Sequence, residues 1–420
     1  MPLDAAGEPP RIAIIGGGIA GLAAAWALMG QARVTLFEAE PRLGGHARTV
    51  LAGRNGDRPV DTGFIVFNHA TYPHLGRLFR ELEAPIERSV MSFAASLDGG
   101  RIEYALSDLR TLLARPGNAV SPEFLGMLRD LLRFYREAEA GVAPGQTVGE
   151  LTAALGLGEG FRRLYLRPFC GAIWSLHDAE VDAFPADMLV RFFRNHGLLS
   201  MTGQHQWWTV KGGSRAYVER LARRLEAGGV TLRTGAAVQG VARDGSGATI
   251  ALRQAPPQRF DQVVLACHAD QALALLERPS ATERRLLGAI RFRANRAVLH
   301  ADPDRMPRRR ACWSSWNARA GGEAGVGVTY WMNRLQNLPL EDPLFVTLNP
   351  DGPIPDAMVY DETTFHHPVF DAVALQAQAG IAAIQGENRT WFAGAWLRNG
   401  FHEDGVASAL RIARAMGATP

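Results

Sequence analysis

The sequence predicts an α/β fold in which a Rossmann-like nucleotide-binding domain is interrupted by an inserted α+β substrate domain. Three observations carry that prediction. An apolar pentapeptide, RIAII (11–15), runs directly into a glycine-rich turn. A second strand–turn–helix pattern closes the chain near residues 390–406. Between them lie a helical stretch and an aromatic, β-rich stretch, in a chain of 420 residues, room for about two or three domains.

Residues 11–15 have the unbroken apolar character of a strand buried in a parallel sheet. Gly16-Gly17-Gly18-Ile19-Ala20-Gly21 fits G-x-G-x-x-G, and an alanine-rich, proline-free stretch to about Met29 predicts the following helix. Arg33–Phe37 (RVTLF) reads as a second strand ending at Glu38. Gly16 allows the tight turn, Gly18 lets backbone approach a pyrophosphate, and Gly21 permits close packing of helix on strand. The helix start offers free N–H groups and a positive dipole end to phosphates. Glu38 is spaced to accept hydrogen bonds from ribose hydroxyls, and it disfavours the 2′-phosphate of NADP. Strand, helix, second strand and acid in register argue against a glycine-rich turn without a ligand.

The next segment, Ala39–Thr49 (AEPRLGGHART), carries Arg42-Leu43-Gly44-Gly45, which resembles the second glycine motif of flavoproteins. Here the sequence is similar to the flavin amine oxidase, protoporphyrinogen oxidase and phytoene desaturase superfamily. The resemblance implies an FAD-binding domain of the glutathione-reductase-like, amine-oxidase type, with Arg42, Gly44 and Gly45 bringing backbone to FAD. The residue after the glycine pair is commonly Arg in that family and is His46 here. Val60-Asp61-Thr62-Gly63-Phe64 resembles the strand and loop beside the flavin ring, which places Gly63 and Phe64 there. Val238 matches the valine whose backbone meets adenine. Residues 390–395 (TWFAGA), with Gly394, resemble the strand and turn beneath the ribityl chain, although Ala395-Trp396 stand where the family often has an acid or threonine. Gly400–Ser408 then opens the last helix, so His402, Gly405 and Val406 would lie at the flavin N1–O2 edge, where helix N–H groups meet negative charge. The resemblance also implies non-covalent FAD, since residues 351–393 contain no cysteine.

Residues 209–218 (TVKGGSRAYV) predict a helix to about Ala227 capped by Ser214; VTLRTGAAVQGVARD then alternates as strands do, and residues 260–266 (FDQVVLA) read as a buried parallel strand. The FAD-binding domain is therefore expected from 1–74, 205–290 and 376–420, and the substrate domain from 75–204 and 291–375. The first insertion reads as mostly helical. In 121–140 (SPEFLGMLRDLLRFYREAEA), Phe124, Leu125, Leu128, Leu131, Leu132 and Tyr135 recur at helical spacing beside Arg129, Arg133 and Arg136. That helix and the basic segment 185–199 suit either an anionic membrane surface or a solvated face over ordinary core. The second insertion reads as β-rich, with ACWSSWN (311–317) and GVGVTYWMN (325–333) as paired strands. Trp207, Trp208, Trp313, Trp316, Tyr330 and Trp331 would either wall an apolar pocket or fill the sheet's core. Arg308-Arg309-Arg310 suits a solvated turn, or a phosphate clamp if the substrate is a phospholipid.

Forty-five basic residues against 42 acidic, with Lys211 the sole lysine, argue against nucleic acid as a partner. Three scattered cysteines (Cys170, Cys267, Cys312) fit neither a disulfide framework nor a zinc site, and no histidine pair has metal-ligand spacing. The opening MPLDAAGEPP lacks a secretory pattern, and no apolar run reaches the ~18 residues of a spanning helix. The expected location is cytoplasmic, with peripheral contact at the inner membrane compatible with the basic helices. His46, His69, His74, His366, His367 and His402 fall near segments placed by the flavin. Of these, His402 with Glu403 are the candidate catalytic bases; the alternative is that they hold loops and caps.

No second dinucleotide motif is present, so electrons come from a substrate rather than from NAD(P)H. Residues 61–68 (DTGFIVFN), ACWSSWN and GFHEDG (400–405) resemble a bacterial subgroup linked to cyclopropane-fatty-acid-synthase-like methyltransferases. That resemblance implies a methylated fatty acyl chain as substrate for desaturation and a lipid methyltransferase as partner. Amine oxidation, redox-neutral isomerisation of a double bond, and a non-catalytic FAD-bound partner role are the alternatives. Only Phe401 aligns with a residue of an amine oxidase's aromatic cage.

Overall fold

The computed structural model describes residues 8–174, 176–200, 205–253, 255–322 and 325–419. Most of the opening MPLDAAGEPP lies outside the described residues.

Five short strands form one parallel sheet: β1 (Arg11–Ile15), β2 (Arg33–Phe37), β3 (Thr231–Arg233), β4 (Gln262–Leu265) and β5 (Thr390–Phe392). Their spatial order is β3-β2-β1-β4-β5, and every pairing is parallel. The order reverses at β1, so the glycine turn leaves the carboxyl end of the strand beside the switch point, where ligands of such sheets bind. The helices that position the site are α1 (Ile19–Leu28), α2 (Pro73–Glu81), α3 (Pro122–Gly141), α4 (Ala186–Asn195), α5 (Arg215–Ala227) and α6 (His402–Ala415). All ten residues of α1 are buried, as its uniformly apolar sequence demands, because α5 and α6 pack against it.

Several expectations are corrected. The stretch VTLRTGAAVQGVARD divides: β3 joins the parallel sheet, whereas Val238–Asp244 starts a separate antiparallel sheet with 247–252 and 255–260. Phe260 ends that second sheet rather than opening β4. The first insertion is less helical than expected. Residues 93–97 and 102–105 form an edge of a seven-stranded sheet whose other strands are 292–300, 316–322, 325–331, 345–348 and 359–368. Strand 93–97 pairs in parallel with 316–322, Trp316 opposite Phe93, so one sheet ties both insertions together. Residues 316 and 330 are opposite each other, but the strand starts only at Trp316; Arg310–Cys312 is a 3₁₀ turn. The boundary expected at 74/75 falls inside α2, whose Leu75, Leu78 and Phe79 pack into the core beneath α1 and α6. The boundary at 375/376 likewise cuts helix Ala372–Ala383, which packs beside β1 and β4. In α3 the buried face is Phe124, Met127, Leu131, Phe134 and Ala138, while Leu125 and Leu132 are 47% and 50% exposed. Among the described residues, no helix is long and apolar enough to cross a membrane.

Candidate functional site

At the amino-terminal turn, each glycine answers a separate contact. Gly16 has φ +112 and donates its N–H to the Phe37 carbonyl at 2.8 Å; a Cβ there would lie 2.7 Å from the Ala266 carbonyl oxygen. A Cβ at Gly21 would fall on the Gly16 carbonyl oxygen. Gly18 differs: it caps α1 with extended backbone and no side-chain bond, and a Cβ there would meet nothing within 4 Å. Gly44 donates to the Gly17 carbonyl at 2.8 Å, and a Cβ at Gly45 would sit 3.1 Å from the Gly18 Cα. Two glycine loops thus pack backbone to backbone and leave open volume at the first turn of α1, whose N–H groups lie outside the helix's own ladder.

Arg42 braces the second loop, donating to the Gly45 carbonyl at 3.0 Å while pairing with Glu40 at 3.0 Å. One Glu38 oxygen accepts from the Gly17 N–H at 2.6 Å and the other from the Glu40 N–H at 2.8 Å. An ionised carboxylate has about four acceptor positions, so Glu38 retains capacity for ribose hydroxyls. Ala236 donates to the Glu38 carbonyl at 2.8 Å, which brings Val238 to the same end of the sheet. The open volume at Gly18, the free N–H groups and the acid fit the pyrophosphate and ribose of a dinucleotide such as FAD.

The carboxyl-terminal half of the site sits where α6 meets α1. A Cβ at Gly405 would lie 2.9 Å from the Ile19 side chain, and Val406 is wholly buried. Gly394 donates to Ser408 Oγ at 3.0 Å, tying the turn after β5 to α6. A Cβ at Gly63 would fall on the His46 carbonyl, which accepts from the Phe64 N–H at 2.8 Å. The Phe64 ring stacks on His402 at 3.8 Å, and His402 Nε2 lies 3.0 Å from the Tyr217 hydroxyl. Burial pushes the His402 imidazole down to about 3, so it is neutral at ordinary pH. The His46 ring stacks on Phe365 at 4.8 Å, with His367 at 5.6 Å and His268 at 6.0 Å. Burial, then the neighbouring imidazoles, hold His46 well below its ordinary value. His367 Nδ1 meets the Asn295 amide at 3.2 Å, and His69 packs on Trp208.

The two candidate bases are engaged in the scaffold. Glu403 accepts from the His74 N–H at 3.1 Å and from the Leu75 N–H at 2.9 Å. α2 has no capping side chain of its own, so Glu403 caps it from the far end of the chain. Burial raises the Glu403 carboxyl to about 7, against the pull of those two bonds. Asp404 turns back to accept from the Phe401 N–H at 3.0 Å and the Asn399 N–H at 3.3 Å. Both bonds go to backbone before α6, and Phe401, which precedes the helix, gives no side-chain cap to its first N–H groups.

Beside that helix start stands a wall of rings. Phe401 stacks on Phe192 at 5.3 Å, Phe192 on His196 at 4.0 Å, and His196 on Trp207 at 5.9 Å. Trp174 packs on Phe192 at 4.9 Å, and its buried Nε1 has no partner among the described residues. Burial pushes His196 down to about 4, so the wall is uncharged. The six aromatics read from the sequence do not form one wall: Trp313 pairs with Trp331, Trp316 with Tyr330, and Trp208 with His69, in separate places.

Sequence reasoning missed Phe192, His196 and Tyr217; the Phe192-Phe193 pair in an amphipathic helix was the available signal for the first. It also missed the use of Asp61, which accepts from the Ser214 N–H at 2.8 Å, Ser214 Oγ at 2.7 Å and Thr49 Oγ at 2.6 Å. Ser214 therefore serves Asp61 and makes no cap to α5. Burial raises Asp61 to about 6. No cluster of three or more metal-ligating side chains occurs among the described residues, and the three cysteines are free.

Comparison with known proteins identifies the family and the fold. Residues 19–300 match the family model of flavin containing amine oxidoreductases. A fatty acid isomerase from P. acnes that produces CLA shares the fold with a TM-score of 0.71 at 15% identity, over 99% of both chains. Cyclohexylamine oxidase from Brevibacterium oxydans IH-35A gives a TM-score of 0.69 at 19% identity, over 97% of this chain and 99% of that one. A putrescine oxidase mutant gives 0.69 at 15% identity, over 97% and 98%. No curated protein gives a significant match.

Proposed function

The chain belongs to the flavin containing amine oxidoreductase family, and on that premise we propose that this FAD-dependent oxidoreductase desaturates an apolar substrate, a methylated fatty acyl chain of a membrane phospholipid. Bound FAD supplies the acceptor for a hydride. The observation that carries the reading is the wall at the start of α6: rings of Phe192, His196, Trp207 and Phe401, with no carboxylate among them. An ammonium substrate calls for a partner charge or an open aromatic cage. Here Glu403 and Asp404 are taken up by backbone N–H groups, and the face of Phe401 is covered by Phe192.

Each residue then has a physical task. The rings exclude water from the reacting carbons, which strengthens every electrostatic interaction there. The amino terminus of α6 favours negative charge beside it. Neutral His402, clamped between Phe64 and Tyr217, keeps that terminus rigid. The cradle of Gly16, Gly18, Gly44 and Gly45 holds the pyrophosphate, and Glu38 the ribose.

A fatty acid isomerase with the same fold over 99% of both chains supports a second reading, redox-neutral relocation of a double bond. Anaerobic absorbance titration separates the readings. Bleaching of the oxidised flavin by phospholipid vesicles, and by none of a panel of primary amines, is the expected result. Bleaching by amines alone would overturn it. No bleaching together with a moved double bond would establish the isomerase.

A further inference from the structure

The surface of the helical lobe carries an apolar and basic face that the proposed reaction does not use. Among the described residues, eleven large hydrophobic side chains are exposed, and five of them (Leu109, Leu113, Val120, Leu125, Leu132) fall within residues 109–132. Leu109 and Val120 are 76% and 79% exposed. On α3 the outward stripe is Leu125, Arg129, Leu132 and Arg136, at spacings of four, three and four, so it alternates leucine and arginine along one line of the helix.

The Arg308–Arg310 turn lies beside the exposed Leu109–Leu112 segment. Buried Glu103 accepts from the Arg308 N–H at 2.7 Å and the Arg309 N–H at 3.1 Å, and also binds the Arg309 guanidinium at 2.9 Å. Helix Leu109–Leu112 packs beside Arg310–Cys312, and the Asn118 amide donates to the Glu103 carbonyl at 3.0 Å. One buried carboxylate thus fixes the basic turn against the exposed leucines. Among the described residues, Arg110, Arg136, Arg308 and Arg310 have no carboxylate within 4.0 Å. Of the nearby acids, Asp98 and Glu123 are matched by Arg163, Asp130 by Arg129 and Glu139 by Arg194, while exposed Asp108 interacts with Arg110. A groove of about 500 Å³ lined by Arg129, Leu132, Tyr135, Arg136 and Leu199 opens on this stripe.

We propose that this face docks on the surface of an anionic phospholipid bilayer. Leu109, Val120, Leu125 and Leu132 enter the boundary between headgroups and acyl chains, and the unpaired arginines meet the lipid phosphates. Exposed leucines beside arginines that have no carboxylate partner suit that boundary better than water, which leaves the leucines unburied, or nucleic acid, which has no use for them. Docking concerns a surface apart from the reacting rings, so it holds whether or not the substrate is a lipid.

The test is co-sedimentation of the FAD-loaded protein with vesicles of phosphatidylglycerol and phosphatidylcholine, and with phosphatidylcholine alone. The wild type is expected to bind the anionic vesicles and to release as salt is raised. Leu109→Ser with Val120→Ser, and separately Arg308→Ser with Arg310→Ser, are expected to weaken binding about tenfold or more while keeping flavin content and melting temperature. Leu340→Ser, which removes a leucine 60% exposed outside the face, is expected to bind as wild type. Failure of the wild type to bind anionic vesicles, or undiminished binding by both double variants, would overturn the proposal. So would a wild-type dimer that the Leu109→Ser, Val120→Ser variant converts to a monomer, which would make the face an interface between two copies.

Discussion

Two helix starts meet at the site, and they are built on opposite terms. The first turn of α1 is Gly18-Ile19-Ala20-Gly21, with no polar side chain; its acid, Glu38, comes from the residue just after β2. The first turn of α6 is His402-Glu403-Asp404, crowded with polar groups, yet His402 and Glu403 are turned to remote parts of the fold and Asp404 to the backbone just before the helix. At α1 the backbone itself must be approached, and that requirement dictates glycine. At α6 the side chains answer backbone demands elsewhere, chiefly the uncapped start of α2.

The largest effects belong to α1. Gly21→Val would drive a side chain into the Gly16 carbonyl and is expected to cost about 3 kcal/mol or more, leaving little soluble protein. Gly18→Val meets open space at φ −73, so the apoprotein is expected to melt as wild type yet to bind FAD at least about tenfold more weakly, ~1.4 kcal/mol. Flavin content beside apoprotein melting temperature checks both. Retention of FAD by Gly18→Val would break the assignment of that open volume to the pyrophosphate.

Next comes Glu403. Glu403→Ala removes the acceptor of two N–H groups on α2 and is expected to cost about 1–2 kcal/mol by denaturant unfolding. Glu403→Gln keeps one acceptor and should cost less. If the contacts describe its role, the rate of flavin reduction in Glu403→Gln stays within about threefold of wild type. A fall of about a hundredfold with unchanged stability would mark Glu403 as a catalytic base.

A smaller, broader effect follows from the imidazoles. His46, His196, His268, His300, His367 and His402 are all lowered, each first by burial. The unfolded chain binds protons at these positions more readily than the folded one, so stability is full above the ordinary value of 6.5 and falls as pH drops toward about 4 for His367 and about 3 for His402. Asp61 and Glu403 act oppositely: raised to about 6 and about 7, they favour the folded state at low pH and lose that contribution as pH rises through those values. With His74 also lowered and Asp404 also raised by burial, seven imidazoles against three carboxyls make acid destabilisation the net expectation. Melting temperature should decline from pH ~7 to pH ~4.5, and His367→Gln should flatten that decline.

The smallest effect is expected at Arg42. Its ion pair with Glu40 is solvent-screened, so Arg42→Ala should cost no more than about 1 kcal/mol in stability while loosening FAD severalfold through the Gly45 carbonyl.

The same contrast governs what could be read in the residues alone. β1, β2, β4 and β5 and the glycine turns were legible because local pattern and backbone geometry coincide there. Strand 93–97 was not, because FAASL is short, buried on both faces and paired with a segment more than two hundred residues later. On α3, helical spacing gave the helix but misassigned Leu125 and Leu132, since Met127, Phe134 and Ala138 at the same period take the core. Glu403 and Ser214 look like a base and a cap in sequence; the backbone N–H groups and the carboxylate they serve are remote.

The most direct measurement is mass analysis of phospholipid acyl chains after one anaerobic turnover with stoichiometric protein. Desaturation predicts chains that have lost two hydrogens, in equal number to the flavins bleached. Chains of unchanged mass after incubation with an active, FAD-loaded protein would contradict it.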